Sequence, residues 1–161
     1  NMITSLHMGC DDLEAHVQKL EAKYRQAEQH ETRAEDYYAD GAHVVLVGYG
    51  IVGRILKAVV AEARSLGMNV GLLRPITLYP FPTRDFERLA KCAKAFVVVE
   101  MSNGQLLDDV RLALNGARPV EFYSRVGGNV PSHEEVFRFV EKQAGKYLAA
   151  VAPEKEQMAH V

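Results

Sequence analysis

A chain of 161 residues, 48% hydrophobic and 25% charged, has room for one core-forming domain and an appendage. Its formal net charge of −2 gives no global electrostatic case for nucleic acid or an anionic membrane. No apolar stretch is long enough for a bilayer span, no signal pattern opens the chain, and the two cysteines, Cys10 and Cys92, form no CxxC motif. They suit reduced thiols in a cytoplasmic protein better than a four-thiolate cluster or zinc site.

Residues 1–40 read as a helical linker segment. From Asp11 to about Asp36 the chain is rich in Glu, Lys, Gln, Ala and Arg, all good helix formers. Leu13, Val17, Leu20, Tyr24 and Ala27 recur at four- and three-residue steps, a narrow apolar stripe that needs something to lie against. About two heptads make a short coiled coil, so the support is the following domain or a partner, a second copy included.

An α/β domain is expected over 41–150. The β-branched run Val44 to Val47 suits a strand buried on both faces, and 51–66 reads as a helix capped by Gly67. A second strand over 69–74 leads into the stiff segment "PITLYPFP". Thr83 is placed to cap a two-turn helix, and Cys92, on a short helix before the third strand, reads as a packed thiol. Residues 95–99 form a third buried strand, 106–114 a helix closed by Asn115-Gly116, and 119–123 a fourth strand. Ser132-x-x-Glu135 after Pro131 is a capping box for the last helix, and the chain beyond about 150 (151–161) is a flexible tail. Repeated strand-then-helix units predict a mostly parallel sheet with helices on both faces.

Gly48-x-Gly50-x-x-Gly53 between the first strand and its helix matches the dinucleotide fingerprint in spacing. That fingerprint also needs an acidic residue after the second strand to hold the ribose. Here the strand ends in Arg74-Pro75, with no Asp or Glu between Glu62 and Asp85. Arg74 would serve only a 2′-phosphate, and Pro75 turns the chain away at once. The other explanation is packing: Gly48 and Gly50 for the turn, Gly53 for close approach of helix and sheet.

Three stretches carry a more specific signal: "VGLLRPITLYPFP" (70–82), "VVVEMSNGQLLDDVRLALNG" (97–116) and "PVEFYSRVGGNVPSHEEV" (119–136). In order, they resemble the C-terminal domain of the alpha subunit of 2-oxoacid:ferredoxin oxidoreductases, the ketoisovalerate type above all, over about residues 11–145. The resemblance implies a three-layer αβα sandwich of the transketolase C-terminal type, preceded by a long helix. It implies that the whole enzyme decarboxylates a branched 2-oxoacid oxidatively, with coenzyme A and ferredoxin as acceptors. Thiamine diphosphate, Mg and the iron–sulfur clusters would lie in other domains and in the beta subunit, none of them in this chain. The isolated chain is then expected to be inactive, a domain that organises an interface. In that family only the position of Gly50 is typically glycine, so the full triplet here is incidental. The competing reading is a small NAD(P)-binding regulatory or reductase domain built on Gly48, Gly50, Gly53 and Arg74.

The interface or ligand-edge candidates are Arg74, Tyr79, Glu100, Ser102, Asn103, Gln105 and Arg125. Glu100, Ser102, Asn103 and Gln105 follow a buried strand at the edge where α/β sheets place ligands, and in the functional reading they touch the neighbouring thiamine domain or coenzyme A. Each has a structural alternative. Ser102 or Asn103 would be an N-cap with Glu100 as a structural acceptor, Tyr79 and Phe81 would complete the core, and Arg125 with Gly127 and Gly128 would make a turn. The six histidines show no metal-ligand spacing, His133 looks solvated beside Glu134 and Glu135, and no nucleophile–base set survives placement on elements.

Overall fold

The computed structural model describes residues 6–148; the tail expected at 151–161 lies outside them. Ten elements follow in chain order: α1 (Cys10–His30), β1 (Ala34–Tyr37), β2 (Val44–Val47), α2 (Gly50–Ser65) and β3 (Val70–Pro75) come first. Then follow α3 (Thr83–Leu89), β4 (Ala95–Glu100), α4 (Gln105–Leu114), β5 (Val120–Ser124) and α5 (His133–Leu148).

The five strands form one sheet in the order β1-β3-β2-β4-β5, parallel throughout except for β1. Every residue of β2 and β4 is buried, as expected of strands covered on both faces. Strand alternation sorts their side chains into two cores. Val44, Leu46, Val97 and Val99 meet α2 and α5, with Val59, Val60, Val136 and Val140 opposite them. Val45, Val47, Phe96 and Val98 meet α3 and α4, where Phe86, Leu106 and Val110 pack. The result is the three-layer αβα sandwich. Truncating a fully buried leucine such as Leu46 to alanine would cost about 2–5 kcal/mol.

Helix ends follow local chemistry. Gly67, at φ +81°, closes α2 with its N–H on Arg64 O at 3.0 Å and that of Met68 on Ala63 O at 3.0 Å. Before α5 the capping box forms in both directions: Ser132 N–H donates to Glu135 Oε2 at 2.8 Å, and Glu135 N–H to Ser132 Oγ at 3.2 Å. These bonds, with Arg125 beside them, hold the Glu135 carboxyl below its ordinary range.

Several expectations are corrected. The N-terminal helix stops at His30, not near Asp36, and Ala34–Tyr37 becomes an edge strand antiparallel to β3. Its acids are held by neighbours: Glu35 by Lys57 and Arg74, Asp36 by Arg88. Thr83 does not cap α3; Pro82 stands at the cap position and no side chain bonds the helix end. Cys92 lies in the turn after α3 and is exposed, as is Cys10. His133 is not simply solvated, since its Nε2 lies 3.2 Å from Glu62 Oε2 on α2.

α1 buries none of its residues. On its stripe Leu13, Val17 and Tyr24 are exposed, and Tyr24 meets Tyr79 edge-on at 6.3 Å between ring centroids.

Candidate functional site

The chain runs from β2 to β3 on one side and then, through α3, to β4 on the other side of β2. The carboxyl ends of β2 and β4 therefore flank the switch point of the sheet, the place where such folds open a crevice. A cleft of about 150 Å³ lies there, lined by Tyr49, Ile51, Val52, Val99, Met101 and Ser102, together with Gly50 and Glu100.

The three glycines between β2 and α2 do separate jobs. A Cβ on Gly48 would stand 2.7 Å from Leu56 Cδ1 and 3.1 Å from Val99 O, so this position admits no side chain. Gly50 has φ +58° with open space around it and supplies the turn. A Cβ on Gly53 would meet Arg74 Cδ at 3.0 Å, so this glycine makes room for the Arg74 stem crossing from β3. Packing and turn geometry account for all three.

Arg74 is engaged inside the chain. Its Nη1 lies 3.1 Å from Glu35 Oε2, and Lys57 binds the other oxygen of that carboxylate. The Lys57 hydrogen bond first, and the Arg74 guanidinium with it, hold the Glu35 carboxyl below its ordinary range. Arg125 pairs with Glu135 at 3.3 Å, and its backbone N–H donates to Glu100 O at 3.2 Å. Gly127 and Gly128 both have positive φ, the turn alternative for this loop.

Glu100, 1% exposed, organises the β4–α4 connection. Its Oε2 accepts the Leu106 N–H at 3.1 Å and the Ser102 hydroxyl, and its Oε1 accepts the Leu107 N–H at 3.3 Å. The carboxylate thus caps α4 from the end of the preceding strand; Glu100 is the structural acceptor of the alternative reading, while neither Ser102 nor Asn103 is the N-cap. Gly104, at φ +113°, occupies the formal cap position instead. Asn103 is exposed, and Gln105, the first residue of α4, is exposed beside it. Burial, with Asp108 and Glu100 nearby, raises the Asp109 carboxyl above its ordinary range.

Tyr79 is 66% exposed and does not complete the core, whereas Phe81 stacks on Phe86 at 5.3 Å. A groove of about 730 Å³ runs between the last turns of α1 and the 79–87 segment. Arg25 and Arg84 line it together with Glu28, Asp85 and Glu87, so both signs of charge are present. Among the described residues no three His, Cys, Asp or Glu side chains come together as a metal site, and no helix is long and apolar enough to cross a membrane.

What the carboxyl edge offers is apolar surface. Tyr49 and Ile51 after β2, Ile76, Leu78 and Tyr79 after β3, and Val126 and Val130 after β5 are all exposed. Of these the sequence candidates include Tyr79; the others on the candidate list are polar. The signal for the apolar ones was present in "YGI" and "ITLY", but a sequence does not say which loop residues stay uncovered.

The protein-family model for "Pyruvate:ferredoxin oxidoreductase core domain II" matches residues 42–136. The ketoisovalerate oxidoreductase subunit VorB of Methanothermobacter thermautotrophicus is 43% identical over 145 residues, 90% of this chain and 41% of the relative. The chain thus spans about two-fifths of the length of the curated relatives it matches most extensively. In solved structures its fold is similar to a chain of the 2-oxoglutarate:ferredoxin oxidoreductase from Magnetococcus marinus, described with 2-oxoglutarate, coenzyme A and succinyl-CoA bound. The TM-score is 0.72 at 18% identity, covering 86% of this chain and 24% of that one. A split-gene transketolase, described as an inactive beta4 tetramer, matches with TM-score 0.61 at 17% identity, over 71% of this chain and 42% of that one.

Proposed function

We infer the role of this chain from one premise: it belongs to the pyruvate:ferredoxin oxidoreductase core domain II family. It serves as an accessory, interface-forming domain of a thiamine-dependent 2-oxoacid:ferredoxin oxidoreductase and performs no chemistry alone. The whole enzyme would convert a branched 2-oxoacid to its acyl-CoA and pass the electrons to ferredoxin, a substrate choice supported by the similarity to the VorB subunit. Its partners would be the other domains and subunits of that enzyme, in the cytoplasm.

The observation that carries this reading is the division of labour at the carboxyl edge. Glu100, Arg74 and Arg125, the charged groups best placed to handle a ligand, are each engaged by their own chain. Large apolar side chains on the neighbouring loops are left exposed. A surface of that kind marks contact with another protein surface rather than catalysis.

The described residues do not fit the enzyme's metal centres. Cys10 and Cys92 lie on separate elements and cannot supply a four-cysteine cluster. No carboxylate or histidine group gathers to hold a magnesium diphosphate among the described residues. The iron–sulfur clusters and the magnesium of thiamine diphosphate are therefore assigned to the rest of the enzyme.

The test is direct. The purified chain, given 2-oxoisovalerate, thiamine diphosphate, magnesium, coenzyme A and oxidised ferredoxin, should release no carbon dioxide. Turnover by this chain alone would sink the reading.

A further inference from the structure

The carboxyl edge also carries information about what docks on it. Its cleft of about 150 Å³ lies at the central strands of the sheet, between the first turn of α2 and the residues that follow β4. Tyr49, Ile51, Val52, Val99 and Met101 form its apolar walls. Of its polar side chains, Ser102 donates to Glu100, Glu100 also accepts the N–H groups of Leu106 and Leu107 in α4, and Tyr49 adds a hydroxyl to an otherwise apolar ring. A charged occupant would find no side chain of opposite charge free to meet it there and would lose its hydration. Apolar cavities of about 150 Å³ accept a benzene-sized group.

We propose that this cleft seats one apolar side chain, aliphatic or aromatic, of the protein domain that covers the carboxyl edge, and that this side chain anchors the contact. The inference rests on the interface reading above and names the chemistry of its centre. The committed occupant is the additional protein that relatives carry in the same polypeptide: the VorB relative is matched over only 41% of its length, so more than half of it is other protein joined to this domain. Position agrees with the proposal. Anchor residues of interfaces fill desolvated pockets near the centre, ringed by contacts that exclude water. Here the cleft's own walls include Tyr49 at 37% and Ile51 at 53% exposure, and Ile76, Leu78 and Val126 lie on the flanking loops.

The test uses benzene as a probe of the open cleft, read by the methyl signal of Met101 and the amide signals of Ile51 and Val52. In the 161-residue chain these signals should shift on addition of benzene. In the complete enzyme they should not respond, because the cleft is filled. Val52→Phe, which fills it from within, should remove the response from the chain and weaken assembly of the enzyme at least tenfold. No response in the chain, or a response that persists in the complete enzyme, overturns the anchor. Hydrogen exchange separates the two failures. If Ile76 and Leu78 become protected on assembly while benzene still binds, only the anchor falls. If they gain no protection, the interface reading falls with it.

Discussion

The two ends of the sheet are finished differently. At the amino end, neighbouring strand starts bond to one another: His43 N–H to Asn69 O at 3.1 Å, Lys94 N–H to His43 O at 2.7 Å, and Phe96 N–H to Pro119 O at 3.0 Å. Asn69 Nδ2 adds a bond to Gly41 O, and Arg118 Nε one to Ala90 O. Two helices close there on residues of positive φ, Gly67 and Asn115-Gly116. At the carboxyl end the charged groups are also paired, but the loops expose Tyr49, Ile51, Ile76, Leu78, Tyr79 and Val126. α1 leaves from this side, because Ala34 of β1 pairs with Pro75 at the end of β3. One end ties its strand starts to one another within the chain and, among the described residues, exposes only scattered leucines, Leu66 and Leu112. The other has paired its charged groups, though Arg74 Nε and Arg125 Nε stay without a hydrogen-bond partner, and has left a run of apolar side chains for a neighbour.

That contrast can be broken from either end. The largest effect belongs to the amino half of β3, where a Cβ on Gly71 would stand 2.2 Å from Tyr38 O and 2.5 Å from Ala39 Cα. Backbone atoms cannot swing aside, so Gly71→Ala should lose about 3 kcal/mol or more in denaturant unfolding. A loss below about 1 kcal/mol would mean that the approach is looser than described. Next comes Glu100→Gln at the carboxyl end. An isosteric amide keeps the volume but weakens the charge-assisted cap of α4, which should cost about 2 kcal/mol. Unchanged stability together with lost enzyme activity would instead make Glu100 a functional group.

A smaller effect concerns acid. The folded state lowers the carboxyl ranges of Glu35 and Glu135, so each stabilises the fold above the ordinary glutamate pKa of about 4.3. That contribution is lost as pH falls through the lower folded values. Melting temperature should therefore decline on acidification below about pH 4.5, and Glu35→Gln should flatten part of the decline. The slope should be shallow, because both groups face solvent. An acid limb identical in the variant would remove Glu35 from the account.

The fold was legible where signals are local. The buried strands, Gly67, Asn115-Gly116 and the Ser132 capping box each act within a few residues. β1 was not, because Ala34–Tyr37 continues a run of helix-forming composition and becomes a strand only by pairing with β3, some forty residues on. The end of α1 had one quiet marker in Thr32, whose hydroxyl turns back to Glu28 O at 2.8 Å. The cap of α4 was assigned to Ser102 or Asn103 by proximity, but a carboxylate from the strand end reaches the helix first. The candidate polar residues fall along the carboxyl edge because strand ends were readable. Which of them were engaged at home, Arg74 by Glu35 and Arg125 by Glu135, depended on partners ten or more residues away.

The central claim is that the carboxyl edge is a contact surface and the amino edge is not. It is tested by comparing the double variant Ile51→Asp, Leu78→Asp with Leu66→Asp, an exposed leucine at the amino end of the domain. In the chain alone, each should change stability by no more than about 0.5 kcal/mol. In the complete enzyme, measured by sedimentation and activity, the double variant should weaken assembly at least about tenfold, as expected for two charges buried without partners, while Leu66→Asp leaves it unchanged. Assembly of the double variant at wild-type strength, or equal loss with Leu66→Asp, would contradict the account.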